Sequence, residues 1–577
     1  MSQNVSFNLV DEPWICVRDL GGATREVSLL ELFEQASSIK CLANDLPTQD
    51  FAILRVLLAV LQRAISPTLD DDDVPAEVWG RLWRAHELPI DQIHEYLDEW
   101  HHRFDLFDEE QPFMQVVGLR WKDNEKKENN LYRIIGDSWS REDKRLFLQR
   151  AGSGLARLTF AEAARWLVHL QAFALGIPGQ PVLGEKAESI KGGKVYPGGP
   201  GPDGLLGCMY LEGDSLADTL LLNFLPTASR SDEDCLFLED DKPCWEVNPL
   251  LVSDGHEESF PRGRAELFTW QSRWVRLIPC ERNVIDAIVS AGRKMEKSNQ
   301  RLRQIESMTA WKERVGASRT SGIEFLPRKH ERDQAMWRGI ISIFGGTAEQ
   351  ESRIVPPEVI SWVKRMSGRS SGSLLRWSDY VNVHAVGFEY VDAKCGAVTV
   401  VFDDKVELSA YLLSDKGEDL VNLAKELVTS TSKAVFALGC FAANLRIASG
   451  GSAEREYQKA KPDEKPKETA KEKASARAFF EIDSPFRQWL AALNETSNAE
   501  VERRRWRRTA RVIIKAHADV LLREAGPEAI VGAPAQNEKG ETADWMTASK
   551  AEAKLNAALK KYLPLEEDEP NDKEVQA

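Results

Sequence analysis

Apolar residues recur every three or four positions through TQDFAILRVLLAVLQRAI, Thr48 to Ile65, which predicts a helix with a broad buried face and Thr48 as its cap. Ahead of it, FNLVDEPWICVRDLGGATREVSLLELFEQA predicts a short strand, a turn at Gly21 and Gly22, a second short strand and a helix. From there to about residue 410, short strands, helices and loops alternate without a repeat or a regular β-α-β rhythm. That pattern predicts an irregular mixed domain and not a doubly wound sheet. The pattern changes near Ser414. EDLVNLAKELVTSTSKAVFALGCFAANLRIA reads as one long helix, and SARAFFEIDSPFRQWLAAL as a second, with Pro485 as a kink site. AEVERRRWRRTARVIIKAHADVLLREAG reads as a third ending near Gly526, and DWMTASKAEAKLNAALKKYL as a fourth. Helical spacing puts Trp506, Ile513, Ala516 and Val520 on one buried face of the third helix, and Trp545, Leu555, Leu559 and Tyr562 on one face of the fourth. The expected fold is α+β: a large irregular domain over residues 1–410, then a C-terminal four-helix bundle over 411–577. A disordered lysine-rich linker is expected near 450–473, and the bundle ends in an acidic tail.

Composition narrows the class. At 577 residues the chain exceeds what one core supports, and 42% apolar with 29% charged residues is ordinary for a globular protein. Arg55 and Arg63 interrupt the longest apolar run, AVFALGCFAANLRIA is too short to span a bilayer, and no basic-then-apolar leader opens the sequence, so a cytoplasmic protein without a membrane partner is expected. Eight cysteines without a C-x-x-C pair argue against a zinc knuckle or a disulfide framework, and no cofactor is expected. The formal net charge of −16 would repel nucleic acid if it were spread evenly. It is not: acid gathers near Asp70, in FDLFDEE, in DEDCLFLEDD and in the tail, leaving basic stretches elsewhere.

Candidate chemistry is sparse. His94, Asp98 and His102 stand at i, i+4 and i+8 and would share a helix face, as ligands of a metal-dependent hydrolase would; the plainer reading is a solvated helix end. No G-x-S-x-G elbow, H-E-x-x-H or adjacent His-Asp pair occurs, and no catalytic residue is assigned. Gly199, Gly201 and Gly204 spell G-x-G-x-x-G, but Pro200 and Pro202 remove two of the NH groups a phosphate needs, and LLGCMYLEG beyond reads as a strand where a nucleotide cradle requires a helix. What remains is a flexible, mostly side-chain-free loop with Lys191, Lys194 and Tyr196, suited to close approach of backbone to a large ligand. The helix start RRRWRRTARVIIK, Arg503 to Lys515, and the loops Arg141 to Arg157 and Lys364 to Trp377 are rich in Arg and Lys. Taken with the glycine loop, these stretches point to nucleic acid as that ligand.

FNLVDEPWICV at Phe7 to Val17, FDLFDEEQPFMQVVGL at Phe104 to Leu119, ELFTWQSRWVRL at Glu266 to Leu277 and the C-terminal helices resemble, in that order and over nearly the whole chain, the large subunit of the type I-E CRISPR Cascade complex, the CasA family. The resemblance implies a non-catalytic subunit of an RNA-guided complex that finds a short PAM in double-stranded DNA, mostly through the minor groove, and helps open the duplex. Its partners would be PAM-bearing duplex, the guide RNA with the other Cascade subunits, and a helicase-nuclease recruited in trans; a purely structural assembly subunit is the alternative within the same complex. The family's glycine loop maps to Gly192, Gly193, Lys194, Tyr196, Pro197, Gly198 and Gly199. Its duplex wedge maps to Gly368, Arg369, Ser370, Ser371 and Gly372, where some members carry a glutamine that this chain lacks. The loop that reaches the rest of the complex maps to Phe147, Leu148, Gln149 and Arg150. Zinc-binding cysteine pairs of some relatives are absent here, so that site is not carried over. The bundle lies beside the opened DNA in this family, which makes Arg504, Arg507, Arg508 and Arg511 its expected basic face.

Overall fold

The computed structural model describes residues 5–65, 75–122, 131–136, 156–226, 241–256, 258–314, 324–347, 352–367, 380–390, 396–451, 469–536 and 542–565. Local chemistry explains the first elements. Strand Ile15–Asp19 pairs antiparallel with Thr24–Val27 around a turn where Gly22 takes a φ of +86°, and the Ser28 hydroxyl accepts from the Glu31 NH to cap helix Leu29–Glu34. The following helix, Pro47–Ile65, is buried almost all round, as a core helix must be. Thr48 is not its cap. Pro47 opens the helix, and the Thr48 hydroxyl lies 3.0 Å from Nε2 of the fully buried His169, whose imidazole burial pushes down to about 3 and so keeps neutral. Helix Phe160–Phe173, started by a Thr159–Glu162 capping box, packs against this core helix.

The described residues form two compact units. One takes in Met1–Arg332, Ile341–Leu375 and Val381–Lys405; the other takes in Asp333–Ile340, Arg376–Tyr380 and Val406–Ala577. The first unit holds several short sheets. Arg273–Cys280 and Asn283–Ala291 form a long antiparallel hairpin, with Leu158–Thr159 on the outer edge of its second strand. Cys208–Glu212 pairs with Tyr380–Tyr390, which borders Val398–Ser409. Small sheets mixed with helices and joined by irregular chain make this α+β, as the pattern predicted. Among the described residues no helix is long and apolar enough to cross a membrane.

One charge stands in the middle of the apolar core helix. Arg55 donates to Asp203 Oδ1 at 2.7 Å and to both oxygens of Glu306 at 2.7 Å, with the three side chains only 1%, 2% and 0% exposed. Its guanidinium also lies over the rings of Phe51 and Phe268. Burial pushes the Asp203 carboxyl up to about 7 even though Arg55 pulls the other way, and Glu306 adds to the rise. A second, partly buried cluster joins the three strands of one sheet. His384 meets Asp403 at 2.6 Å and Glu212 at 3.6 Å, and Lys405 meets Glu212 at 2.7 Å. Burial would raise Glu212, but the bonds from His384 and Lys405 outweigh it and hold the carboxyl at about 2. Burial would likewise lower His384, but its carboxylate partners raise it above its usual value.

In the second unit, helix Glu418–Ala448 packs against the other three long helices, Ala470–Ala491, Ala499–Glu524 and Ala548–Tyr562. Phe486 stacks on Trp337 at 4.3 Å and meets the Trp506 ring edge-on at 4.8 Å, while the Trp506 indole NH donates to Thr431 at 2.9 Å. Three expectations change here. The buried stripe of the third helix is Trp506, Ala510, Arg511, Ile514, His517 and Ala518; because the helix packs against two neighbours at once, the stripe is turned away from Ala516, which is exposed, and leaves Ile513 and Val520 at its margin. The fourth helix begins only at Ala548, capped by Thr547; Trp545 lies before it on strand Thr542–Met546, half exposed, with its indole NH on the Val531 carbonyl. The polar stretch after the first helix is shorter than 450–473, since a Thr469–Glu472 capping box starts the second helix at Ala470. Residues 452–468 and the acidic tail 566–577 lie outside the described residues.

Two predictions follow from the buried charges. Arg55→Met strands two buried carboxylates and should cost about 3 to 5 kcal/mol of stability, read as a lowered denaturation midpoint of the first unit. For the second cluster the signs oppose. The raised His384 contributes fully below its unfolded value and loses that contribution as pH rises through its folded one; Glu212 contributes above its unfolded value and loses it as pH falls towards about 2. The stability difference between the parent and His384→Gln should therefore be largest in the mildly acidic range and shrink on going alkaline, measured by urea unfolding across pH.

Candidate nucleic-acid interface

The glycine stretch is not a free loop. Ile190–Lys191 and Lys194–Val195 form a minimal antiparallel hairpin whose two turn residues, Gly192 and Gly193, both take left-handed φ values of +57° and +73°. A two-residue hairpin whose twist suits its strands needs this conformation twice over, which only glycine adopts without strain. Among the described residues no heavy atom lies within 4 Å of where a Cβ would stand on either residue, apart from the adjoining chain itself, so the tip projects away from them. Lys191 and Lys194 are directly opposed across the hairpin, and both are exposed. Two ammonium groups on one side of a cross-strand pair repel each other, so the tip is held in an arrangement that an anion would relieve. Beyond it, Tyr196 is half exposed, and among the described residues the atoms nearest to a Cβ on Gly198 would be those of Lys294, at 3.4 Å.

The root of this hairpin is fixed at several points. Val195 exchanges both backbone bonds with Gly179, at 2.8 and 3.0 Å, and Gly179 in turn lies flush against Ser290 of the long hairpin. The fully buried Arg273 donates to the carbonyls of Ser272, Leu175 and Gly199 at 2.6 to 2.8 Å; with no carboxylate on it, burial brings its guanidinium down to about 10. Gly201 sits so tightly on the Ala172 backbone that no side chain fits, its NH donates to Ala174, and two residues later Asp203 enters the Arg55 cluster. The G-x-G-x-x-G spelling is thus packing, and it leads into a four-residue 3-10 turn, Pro202–Leu205, not into a helix that could cradle a phosphate.

The other predicted residues separate. His94 lies 3.0 Å from Glu34, His102 stacks beside Trp100, and the helix tightens into a 3-10 turn at His101–Arg103. Among the described residues no three His, Cys, Asp or Glu side chains gather as metal ligands would. The wedge residues Gly368, Arg369, Ser370, Ser371 and Gly372, and the loop residues Phe147, Leu148, Gln149 and Arg150, lie outside the described residues. The basic face of the bundle divides. Arg504 and Arg508 are exposed; Arg507 bonds Glu426 at 3.0 Å, as Arg503 does at 3.1 Å. Arg511 is buried and donates to the Leu563 carbonyl at 3.2 Å, which corrects its assignment to a solvent-facing surface: it closes the exposed carbonyl end of the fourth helix. Sequence reading passed over Arg273 and Lys294, although the basic cluster RKMEK, Arg293 to Lys297, was a signal for the latter.

The family model described as CRISPR-associated protein Cse1 matches residues 8–516 of this chain. A CRISPR-associated protein CasA/Cse1 from Thermus thermophilus is 34% identical over 278 residues, 47% of this chain and 49% of that protein, so the match spans about half the length of that relative. The crystal structure of Thermobifida fusca Cse1 superposes with a TM-score of 0.82 at 33% identity, covering 97% of this chain and 98% of that one. Cse1 from Acidimicrobium ferrooxidans does so with a TM-score of 0.77 at 25% identity, covering 98% and 100%.

The division among the arginines is testable. Arg511→Met removes a buried bond to a helix end and should lower the unfolding midpoint of the second unit, by about 1 to 3 kcal/mol, whereas Arg508→Ala should leave it within about 0.5 kcal/mol of the parent. Thermal or urea unfolding of the two variants side by side measures both.

Proposed function

Because the chain belongs to the Cse1 (CasA) family, we propose that it is the non-catalytic DNA-recognition subunit of a type I-E CRISPR RNA-guided complex and that the glycine hairpin reads the PAM. The observation that carries this reading is the tip itself: backbone stripped of side chains at Gly192, Gly193, Gly198 and Gly199, edged by the opposed pair Lys191 and Lys194 and by Lys294. A minor groove about 6 Å wide admits such a ribbon, and lysines at its edges suit the phosphates on either side. Guide RNA then reads the remainder of the target by base pairing, which leaves the protein a short duplex tag to recognise.

In the same reading, residues 368–372 act as the wedge beside the PAM, with Arg369 in place of the glutamine of some relatives, and Phe147 to Arg150 contact the rest of the complex. Arg504 and Arg508 hold the displaced strand or help present the complex to the helicase-nuclease. Arg507 and Arg511 take no part in that contact, since their guanidinium groups serve the bundle. The metal-hydrolase alternative has lost its support, with His94 beside Glu34 and His102 against Trp100.

In complexes assembled with normal subunit composition, Gly198→Trp should place bulk at the groove and reduce the preference for PAM-bearing over PAM-lacking duplex by about fivefold or more, the worth of one misread base pair. Lys194→Ala should weaken both duplexes alike and reduce the slope of log affinity against log salt by about 0.9, one lost phosphate contact. Filter binding or interferometry at several salt concentrations reads both effects. An unchanged ratio and an unchanged slope would remove the hairpin from DNA recognition and favour the assembly-only subunit.

A further inference from the structure

We infer that His256 is a positioning residue that ties the two halves of the hairpin site together; this rests on the reading of that site as a duplex-recognition element. The Nε2 atom of His256 lies 2.6 Å from Glu185 Oε1, and Nδ1 lies 3.2 Å from the carbonyl oxygen of Gly292. The two side chains are 2% and 1% exposed, and the imidazole rests on the Trp274 ring with centroids 4.1 Å apart. Glu185 stands five residues before the first hairpin strand, and Gly292 two residues before Lys294. One ring therefore joins the segment that launches the glycine tip to the segment that carries the lysine beside Gly198.

The bridge works through its donors and acceptors. A peptide carbonyl only accepts, so Nδ1 must carry hydrogen; a carboxylate only accepts, so either Nε2 carries hydrogen too or the carboxyl keeps the proton and donates it. In both cases a single proton held between Nε2 and Oε1 closes the bridge. The second oxygen of Glu185 is buried with no hydrogen-bond partner among the described residues, so His256 is the hold on that carboxyl. On the other side Gly292 is pressed against the backbone of Ser272 and Arg273, which leaves its carbonyl no freedom to follow a displaced ring. Neighbouring charges have other partners: Arg293 donates to Glu266 and Ser259, and Asp254 accepts from the Leu251 NH.

The test uses assembled complexes carrying His256→Phe, Glu185→Ala or Glu185→Gln, with PAM-bearing and PAM-lacking duplex as probes and Gly198→Trp as the reference. Phenylalanine keeps the stacking on Trp274 and loses both bonds. Glutamine restores one, because its amide NH can donate to Nε2 of the neutral ring while Nδ1–H still serves Gly292. His256→Phe and Glu185→Ala should each reduce the PAM preference about fivefold or more, Glu185→Gln should retain it, and the salt slope should stay at the parent value in all three, since no phosphate contact is touched. A residue that only packs would change unfolding without this pattern. If Gly198→Trp abolishes the preference while His256→Phe keeps it, or if glutamine fails as badly as alanine, the bridge is overturned and the site reading stands. If neither His256→Phe nor Gly198→Trp changes the preference, both fall. Should His256→Phe not assemble, the comparison of Glu185→Gln with Glu185→Ala decides alone.

Discussion

Burying a guanidinium in an apolar helix costs several kcal/mol unless carboxylates come to it, so helix Pro47–Ile65 can serve as the core only if the fold delivers Asp203 and Glu306 to Arg55. That requirement reaches far along the chain. Asp203 stands inside the glycine stretch, and fixing it fixes Gly201 against the Ala172 backbone; Arg273 then holds the Gly199 carbonyl two residues back. The exposed tip is aimed by charges that no solvent reaches. Each of these anchors grips backbone or sits at the foot of the hairpin, which leaves the tip free of structural duties.

Basic residues do two kinds of work in this chain, and their partners distinguish them. In the bundle, Arg503 and Arg507 share Glu426 and Arg511 closes a helix end, so much of an arginine-dense helix is spent on internal cohesion. At the hairpin, Lys191 and Lys194 face each other. On the reading proposed above, this is how an acidic protein with a net charge of −16 would meet a polyanion: a few cations concentrated where backbone also reaches out.

What could be read from sequence was what local chemistry decides. Gly21-Gly22 announces its turn, the mixed domain and the helical bundle follow from periodicity, and Pro200 and Pro202 already argued against a phosphate cradle. Long-range partnerships were not legible: Arg55 finds Asp203 148 residues away, and Arg273 finds Gly199 at a separation of 74. Arg55 read only as an interruption of an apolar run. Thr48 had the chemistry of a cap, yet tertiary burial gave it to His169 instead. The third helix was placed correctly, but its buried stripe is set by two neighbours whose positions no single-helix pattern encodes. Trp545 was drawn into the fourth helix because an aromatic residue at helical spacing cannot be told by spacing alone from one on an adjoining strand.

The hairpin's described anchors lie at or behind Ile190 and Val195 or beyond Pro197, and among the described residues none comes near where a side chain on the two turn glycines would stand. Within this stretch, length can therefore change most readily at the tip. An insertion between Lys191 and Lys194 would lengthen the projection without moving its foot, whereas one between Gly199 and Asp203 would pull Gly201 off Ala172 and unseat the ion cluster. On the reading proposed above, exchange of the outermost residues would alter what the tip contacts while the foot stays in place, and a designer who wished to graft a different tip onto the scaffold would find the splice points already marked by the fold.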